Sequence, residues 1–208
     1  MQLKQLIYSV LFGSVTLSAA GSSQYVGVSF IGGHSLIDQK VSVHGQGSET
    51  SAIDPNIYGG KINLGVDNGE HVRTNIYFGV EKFDKDIYSD VTKDDAALAS
   101  GSDGLLWSVG FDIIKGYDIE SSIEPYLLGG VDYEFMAVDG YAQKWPKNVG
   151  LKFGGGTFLH MGDALELQMG AYYKYRIWGN YNLDTSTTTN VDLSDHSLMV
   201  ELGLNFHY

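Results

Sequence analysis

The feature that most narrows what this chain can fold into is a strict alternation of side-chain type, held over segments of about ten residues and repeated along the sequence. "LMVELGLNFHY" at 198–208 shows it plainly. Leu198, Val200, Leu202, Leu204, Phe206 and Tyr208 fall on one side; Met199, Glu201, Gly203, Asn205 and His207 fall on the other. Period two puts the two sets on opposite faces of a strand. The same pattern runs through 24–33, 58–67, 72–83, 105–114, 123–135, 149–159 and 165–178, which makes eight segments. Each is near the roughly 9–11 residues that a tilted strand needs to cross a bilayer. The connectors alternate too: 34–57, 84–104, 136–148 and 179–197 are long and polar, whereas 68–71, 115–122 and 160–164 are short. Asn68-Gly69 is the sharpest hairpin signal, and its chemistry predicts a two-residue turn with both residues at positive φ.

The two faces differ in a way that decides the architecture. One carries Leu, Val, Ile, Phe and Tyr. The other carries Lys61, Arg73, Glu81, Asp112, Glu124, Asp132, Glu134, Lys152, Glu166, Lys174, Arg176 and Glu201, with Gly27, Gly65, Gly79, Gly110, Gly130, Gly154, Gly170 and Gly203 among them. Glycine within a strand often marks a tight bend or a close approach. One or more per strand on a single face predicts the concave side of a small closed barrel. A soluble barrel of lipocalin type, the competing fold, would hold its apolar face inside. Here the charged face is the concave one, so the apolar wall faces outward and requires lipid. The expected fold is all-β: an eight-stranded antiparallel transmembrane barrel with long outer loops and short periplasmic turns.

Compartment and charge agree with this. Lys4, an apolar run from about Leu6 to Leu17, and Ser18 and Ala20 at the positions before a cleavage point read as a signal peptide over 1–20, leaving 21–208 as one barrel domain. A single-pass anchor, the alternative, needs about 20 apolar residues. Thirteen Lys and Arg against 25 Asp and Glu disfavour a nucleic-acid partner, which requires a basic footprint. The absence of Cys removes disulfides and thiolate metal sites.

The alternating terminal segment ending in an aromatic residue, the leader, the short inner turns and the long outer loops together resemble the small opacity/OmpA-type barrels of the bacterial outer membrane, OmpX-like in size. The resemblance covers essentially the whole chain after the leader. It departs mildly in closing on Tyr208 where Phe is commoner. It implies a bacterial outer-membrane location, contact with membrane lipid and lipopolysaccharide, and Phe206 and Tyr208 as an insertion signal read by the barrel-assembly machinery. It also implies loops that could engage an extracellular ligand. No cofactor is implied, and no peptidoglycan-binding domain is expected.

For function the sequence offers three classes. In the first, the inward bases and acids pair across the lumen and plug a structural, surface-exposed barrel. In the second, the lumen is a small-solute channel whose surplus acids favour cations. The third is a lipid-modifying enzyme. His34-Ser35 and His196-Ser197 are the pairs to consider, but adjacent strand residues point to opposite faces and cannot form a dyad alone. The lipid-facing His-x-Ser of lipid A deacylases of this barrel class is missing. No catalysis and no metal site are therefore expected. Asp84, Asp86, Asp90, Asp94, Asp95 and Asp103 lack the glycine and closing Glu of a calcium loop and read as a solvated acidic loop, with a weak divalent bridge to lipopolysaccharide as the alternative. The polar stretch 182–195 is expected to be mobile, and Trp145-Pro146 to be a recognition point or part of the aromatic girdle.

Overall fold

The computed structural model describes residues 23–43, 47–85, 105–119, 122–136, 147–179, 181–182 and 189–208. Those residues form ten strands: β1 (Ser23–Val43), β2 (Gly47–Ile53), β3 (Asn56–Asp67), β4 (Val72–Phe83), β5 (Leu105–Gly116), β6 (Ile123–Met136), β7 (Lys147–His160), β8 (Leu165–Trp178), β9 (Tyr181–Asn182) and β10 (Thr189–His207). Neighbours in the chain pair antiparallel from β3 to β8, β10 follows β8, and β1 pairs with both β3 and β10. The sheet thus closes on itself as an eight-stranded barrel, as expected. Residues 1–20, expected to be a leader, lie outside the described residues.

The alternation sets the wall. Phe30, Ile62, Phe78, Val109, Leu151, Phe153, Leu202 and Phe206 stand exposed on the convex face, several of them at half or more of their surface. An apolar belt around the whole circumference is stable only against hydrocarbon, and a closed barrel leaves no backbone group unpaired there. On the concave face, glycine makes room for tyrosine. A side chain at Gly110 would run into the Tyr77 ring, and one at Gly65 into the Tyr25 ring. Curvature and packing thus explain the inward glycines together.

Two expectations are corrected. β1 and β10 do not stop at the membrane rim. They stay paired from Tyr25↔His207 to Val43↔Thr189, far into the stretches expected to be loops. Past residue 36, β1 leaves β3 and pairs with β2, from Ile37↔Ile53 to Val43↔Gly47. The result is an extended hairpin over part of 34–57, and 189–195 is strand rather than mobile loop. The second correction concerns the β3–β4 turn, which has four residues, not two. Gly69 has φ 77° and His71 φ 60°, whereas Asn68 is not at positive φ. Asn68 acts through its side chain: Oδ1 accepts from the backbone N–H of Glu70 at 3.1 Å and of Val72 at 3.3 Å. Asparagine prefers such a local bond to its own backbone as much as it tolerates the left-handed region.

Candidate functional site

All twelve charged residues singled out from the alternation point into the lumen and are buried. They form three layers along the barrel. Nearest the periplasmic turns, the Arg73 guanidinium meets three carboxylates. Its Nη1 donates to both Glu166 oxygens at 2.7 and 2.8 Å, Nη2 to Glu124 at 2.7 Å, and Nε lies 3.1 Å from Asp67. Its Cζ also lies over the Phe158 ring, 4.0 Å from the centroid. In the middle layer, Lys61 Nζ lies 2.8 Å from Glu201 and 3.8 Å from Asp112, and Lys152 Nζ lies 2.6 Å from Asp112. Both ammonium groups approach the Tyr77 ring.

The outer layer is the densest. Arg176 on β8 reaches Glu81 on β4, Glu134 on β6 at 2.8 Å and Asp195 on β10 at 2.9 Å. Lys174 contacts Glu134, Glu81 at 3.1 Å and Asp132 at 2.9 Å. Hydroxyls supply further donors: Tyr77 donates to Asp132 at 2.6 Å, and Ser197 to Asp195 at 2.8 Å, while Ser35 also binds Asp195. One guanidinium holding three carboxylates uses the fork of N–H groups that an ammonium lacks.

Three features of this interior escaped the sequence. Asp195 joins the outer layer, missed because its strand was taken to be a loop, and Asp67, which the alternation puts on the polar face, joins the inner layer as a thirteenth charged residue. Second, the outer ends of the inward face turn apolar: Ile37, Ile57, Phe83, Leu106, Met136, Trp178 and Leu193 are buried together above the ions. The parity that marks the polar face places them there, but they lie at strand ends where the pattern fades. Third, imidazoles gather at the inner end. His71 Nδ1 lies 3.0 Å from Glu124 Oε1, His160 lies 3.1 Å from both Glu124 Oε2 and Glu166 Oε2, and His207 Nε2 lies 3.8 Å from Glu166 Oε1. The sequence places His71 and His160 at inner turns and His207 on the inward face; what it does not show is their meeting with Glu124, 53 and 36 residues from His71 and His160.

The serine–histidine pairs divide between the faces as expected. Ser35 and Ser197 are buried in the lumen with Asp195, whereas His34 is exposed beside Asn56 and His196 lies tilted against the Tyr175 ring on the outer face. Phe206 faces outward opposite Val26 and Leu165, and the Tyr208 N–H donates to the Gln24 carbonyl at 3.0 Å. On the outer rim, Lys85 binds Asp54 at 2.6 Å, and Asp84 accepts from the Asn56 backbone and side chain, both at 2.7 Å. These bonds hold the Asp54 and Asp84 carboxyls below their ordinary range and raise Lys85. Asp86, Asp90, Asp94, Asp95, Asp103 and Trp145-Pro146 lie outside the described residues.

Closed antiparallel topology, an outward apolar belt and a charged interior define an eight-stranded transmembrane barrel of the bacterial outer-membrane type. Solved structures of that type are similar to it. Neisserial surface protein A, at 20% identity, aligns with a TM-score of 0.55 over 90% of this chain and 99% of its own. The outer membrane protein OprG of Pseudomonas aeruginosa aligns at 12% identity and TM-score 0.47, over 89% and 96%. The outer membrane protease OmpT of Escherichia coli aligns at 10% identity and TM-score 0.40, over 93% and 99%. No protein-family model and no curated protein matches the sequence. At these identities the likeness concerns the fold, and a fold of this kind carries many functions.

Proposed function

We propose that the chain is a non-enzymatic outer-membrane barrel with a structural and surface-interaction role, its lumen plugged by ion pairs. The observation that carries this reading is the reach of the two arginines. Arg176 ties β8 to β4, β6 and β10, and Arg73 ties β4 to β3, β6 and β8. Side chains that bridge opposite walls fill the cross-section an ion would need, and the apolar layer above them adds a second barrier. In this reading the outer face meets lipid and lipopolysaccharide. The β1–β2 and β9–β10 extensions offer a surface for an extracellular ligand. The alternating end of β10, with Phe206 and Tyr208, is what the assembly machinery would engage.

Planar-bilayer recording tests it. Wild-type protein should give no steady single-channel current, and the double variant Arg73→Ala/Arg176→Ala should admit a cation-selective one. A large, steady wild-type conductance would overturn the plug and support a small-solute channel. Altered lipid A on expression would instead favour an enzyme.

A further inference from the structure

We infer that the periplasmic end of the lumen is a binding site for a borderline transition-metal dication such as Zn²⁺, held by Glu124, His160, Glu166 and His71. The donors come from four places: those at the start of β6, the end of β7 and the start of β8 converge, and His71 in the β3–β4 turn reaches the other oxygen of Glu124. One ligand atom from each of Glu124, His160 and Glu166 lies within 4.8 Å of the others. The closest nitrogen–oxygen separations are 3.0 and 3.1 Å. Two donors on a tetrahedral zinc, at bond lengths of about 2.0–2.1 Å, stand roughly 3.3 Å apart. An ion between one imidazole nitrogen and the carboxylate oxygen it faces therefore asks for shifts of a few tenths of an ångström at that pair, and the third donor, within 4.8 Å, closes in by a larger side-chain movement.

Charge favours such an ion. Asp67, Glu124 and Glu166 face a single permanent cation, Arg73, which leaves two negative charges around three imidazoles. One dication neutralises them. Arg73 need not be displaced, because each carboxylate oxygen has two lone-pair directions. The guanidinium then orients Glu124 and Glu166 from behind, as outer partners of metal ligands do. His207 adds a separate sign: its Nε2 is buried without a hydrogen-bond partner, 3.8 Å from Glu166 Oε1.

Access and local geometry fit. The side chains of His71 and His160 are 46% and 38% exposed, whereas those of Glu124 and Glu166 are 7% and 1%. Imidazoles thus stand at the water boundary with carboxylates behind them. His71 holds φ 60°, the sole non-glycine residue at positive φ among the described residues, and that turn aims its ring at Glu124. The mixed nitrogen and oxygen set selects Zn²⁺, Ni²⁺ or Cu²⁺ over Ca²⁺ and Mg²⁺, which prefer oxygen alone.

Tag-free barrel in detergent micelles, with folding checked by heat-modifiable migration, is titrated with Zn²⁺ by calorimetry. One ion per chain should bind, Mg²⁺ in large excess should not displace it, and His160→Gln and His71→Gln should each weaken it about tenfold or more. Failure of the wild type to bind stoichiometrically would overturn the site, as would unchanged affinity in both variants. Displacement by Mg²⁺ would overturn its assignment to transition metals. None of these outcomes depends on whether the lumen conducts.

Discussion

The outer and inner ionic layers share one imbalance and resolve it differently. In the outer layer Glu81, Asp132, Glu134 and Asp195 face Lys174 and Arg176, and no side chain there is more than 3% exposed. In the inner layer Asp67, Glu124 and Glu166 face Arg73, with Asp67 at 18% and two imidazoles well exposed. Each has two carboxylates more than it has permanent bases. Beneath the apolar layer, fixed hydroxyls of Ser35, Tyr77 and Ser197 supply the missing donors. At the open end, imidazoles do so. Access to water decides whether a surplus of buried charge is met by rigid donors or by groups that exchange with solvent.

Truncating one arginine in each layer gives the largest test. Arg176→Ala strands three carboxylates in a dry site and should cost about 3–5 kcal/mol. Arg73→Ala, whose partners lie next to the half-exposed imidazoles and Asp67 at the open end, should cost about 1–3 kcal/mol. Equilibrium urea unfolding in lipid vesicles measures both, and equal losses would erase the distinction.

The apolar layer can be probed next. Phe83 is buried 5.9 Å from the Arg176 guanidinium. Phe83→Ser should hydrate the outer layer, so that combined with Arg176→Ala it destabilises less than the sum of the two changes. The coupling expected between touching groups is about 0.5–3 kcal/mol. Strict additivity would mean that the layer does not seal anything.

The smallest effect belongs to the rim. Asp54→Asn removes the partner of Lys85 and should leave global stability unchanged while speeding amide exchange at residues 53–57. In the wild type the Asp54 carboxyl sits below its ordinary 3.8, so the pin is present above that pH and is lost as pH falls through the lower folded value. Lys85 is raised above its ordinary 10.5, so its half of the pin persists up to that pH and is lost as pH rises through the higher folded value. Exchange at 53–57 that is insensitive to acid, after correction for intrinsic rates, would show that the pin holds nothing.

Within the bilayer the sequence was legible nearly residue by residue. β4 and β8 begin and end where the alternation does, and every charge assigned to the concave face lies there. Lipid enforces this, since it admits only apolar side chains on one face. Beyond the rim that pressure ends. Ile37 and Gln39 share one face of β1 while Leu36, Asp38 and Lys40 share the other, so contrast between faces vanishes although the strand continues. The inner imidazole cluster was illegible for another reason. His160 and Glu166 face each other across the β7–β8 hairpin, but His71 reaches Glu124 only across the lumen, and spacing along the chain carries no trace of that contact.

The seam between β1 and β10 also orders events in time. Ser35 and Asp195 are 160 residues apart, whereas β3–β4, β5–β6 and β7–β8 are neighbours that can pair as soon as both strands exist. The lumen bridges are distant too: 93 residues separate Arg73 from Glu166, and 95 separate Arg176 from Glu81. Early hairpins therefore join only a few charges, such as Arg73 with Asp67 across β3–β4, and hold most of the others unpaired until the circle shuts. Contacts of such long range slow folding and concentrate its reward in the last step. Until then both β1 and β10 present open edges, each able to pair with a wrong strand. Closure removes the two edges and joins the charges in one act, so this wall assembles as a whole or stays unfinished.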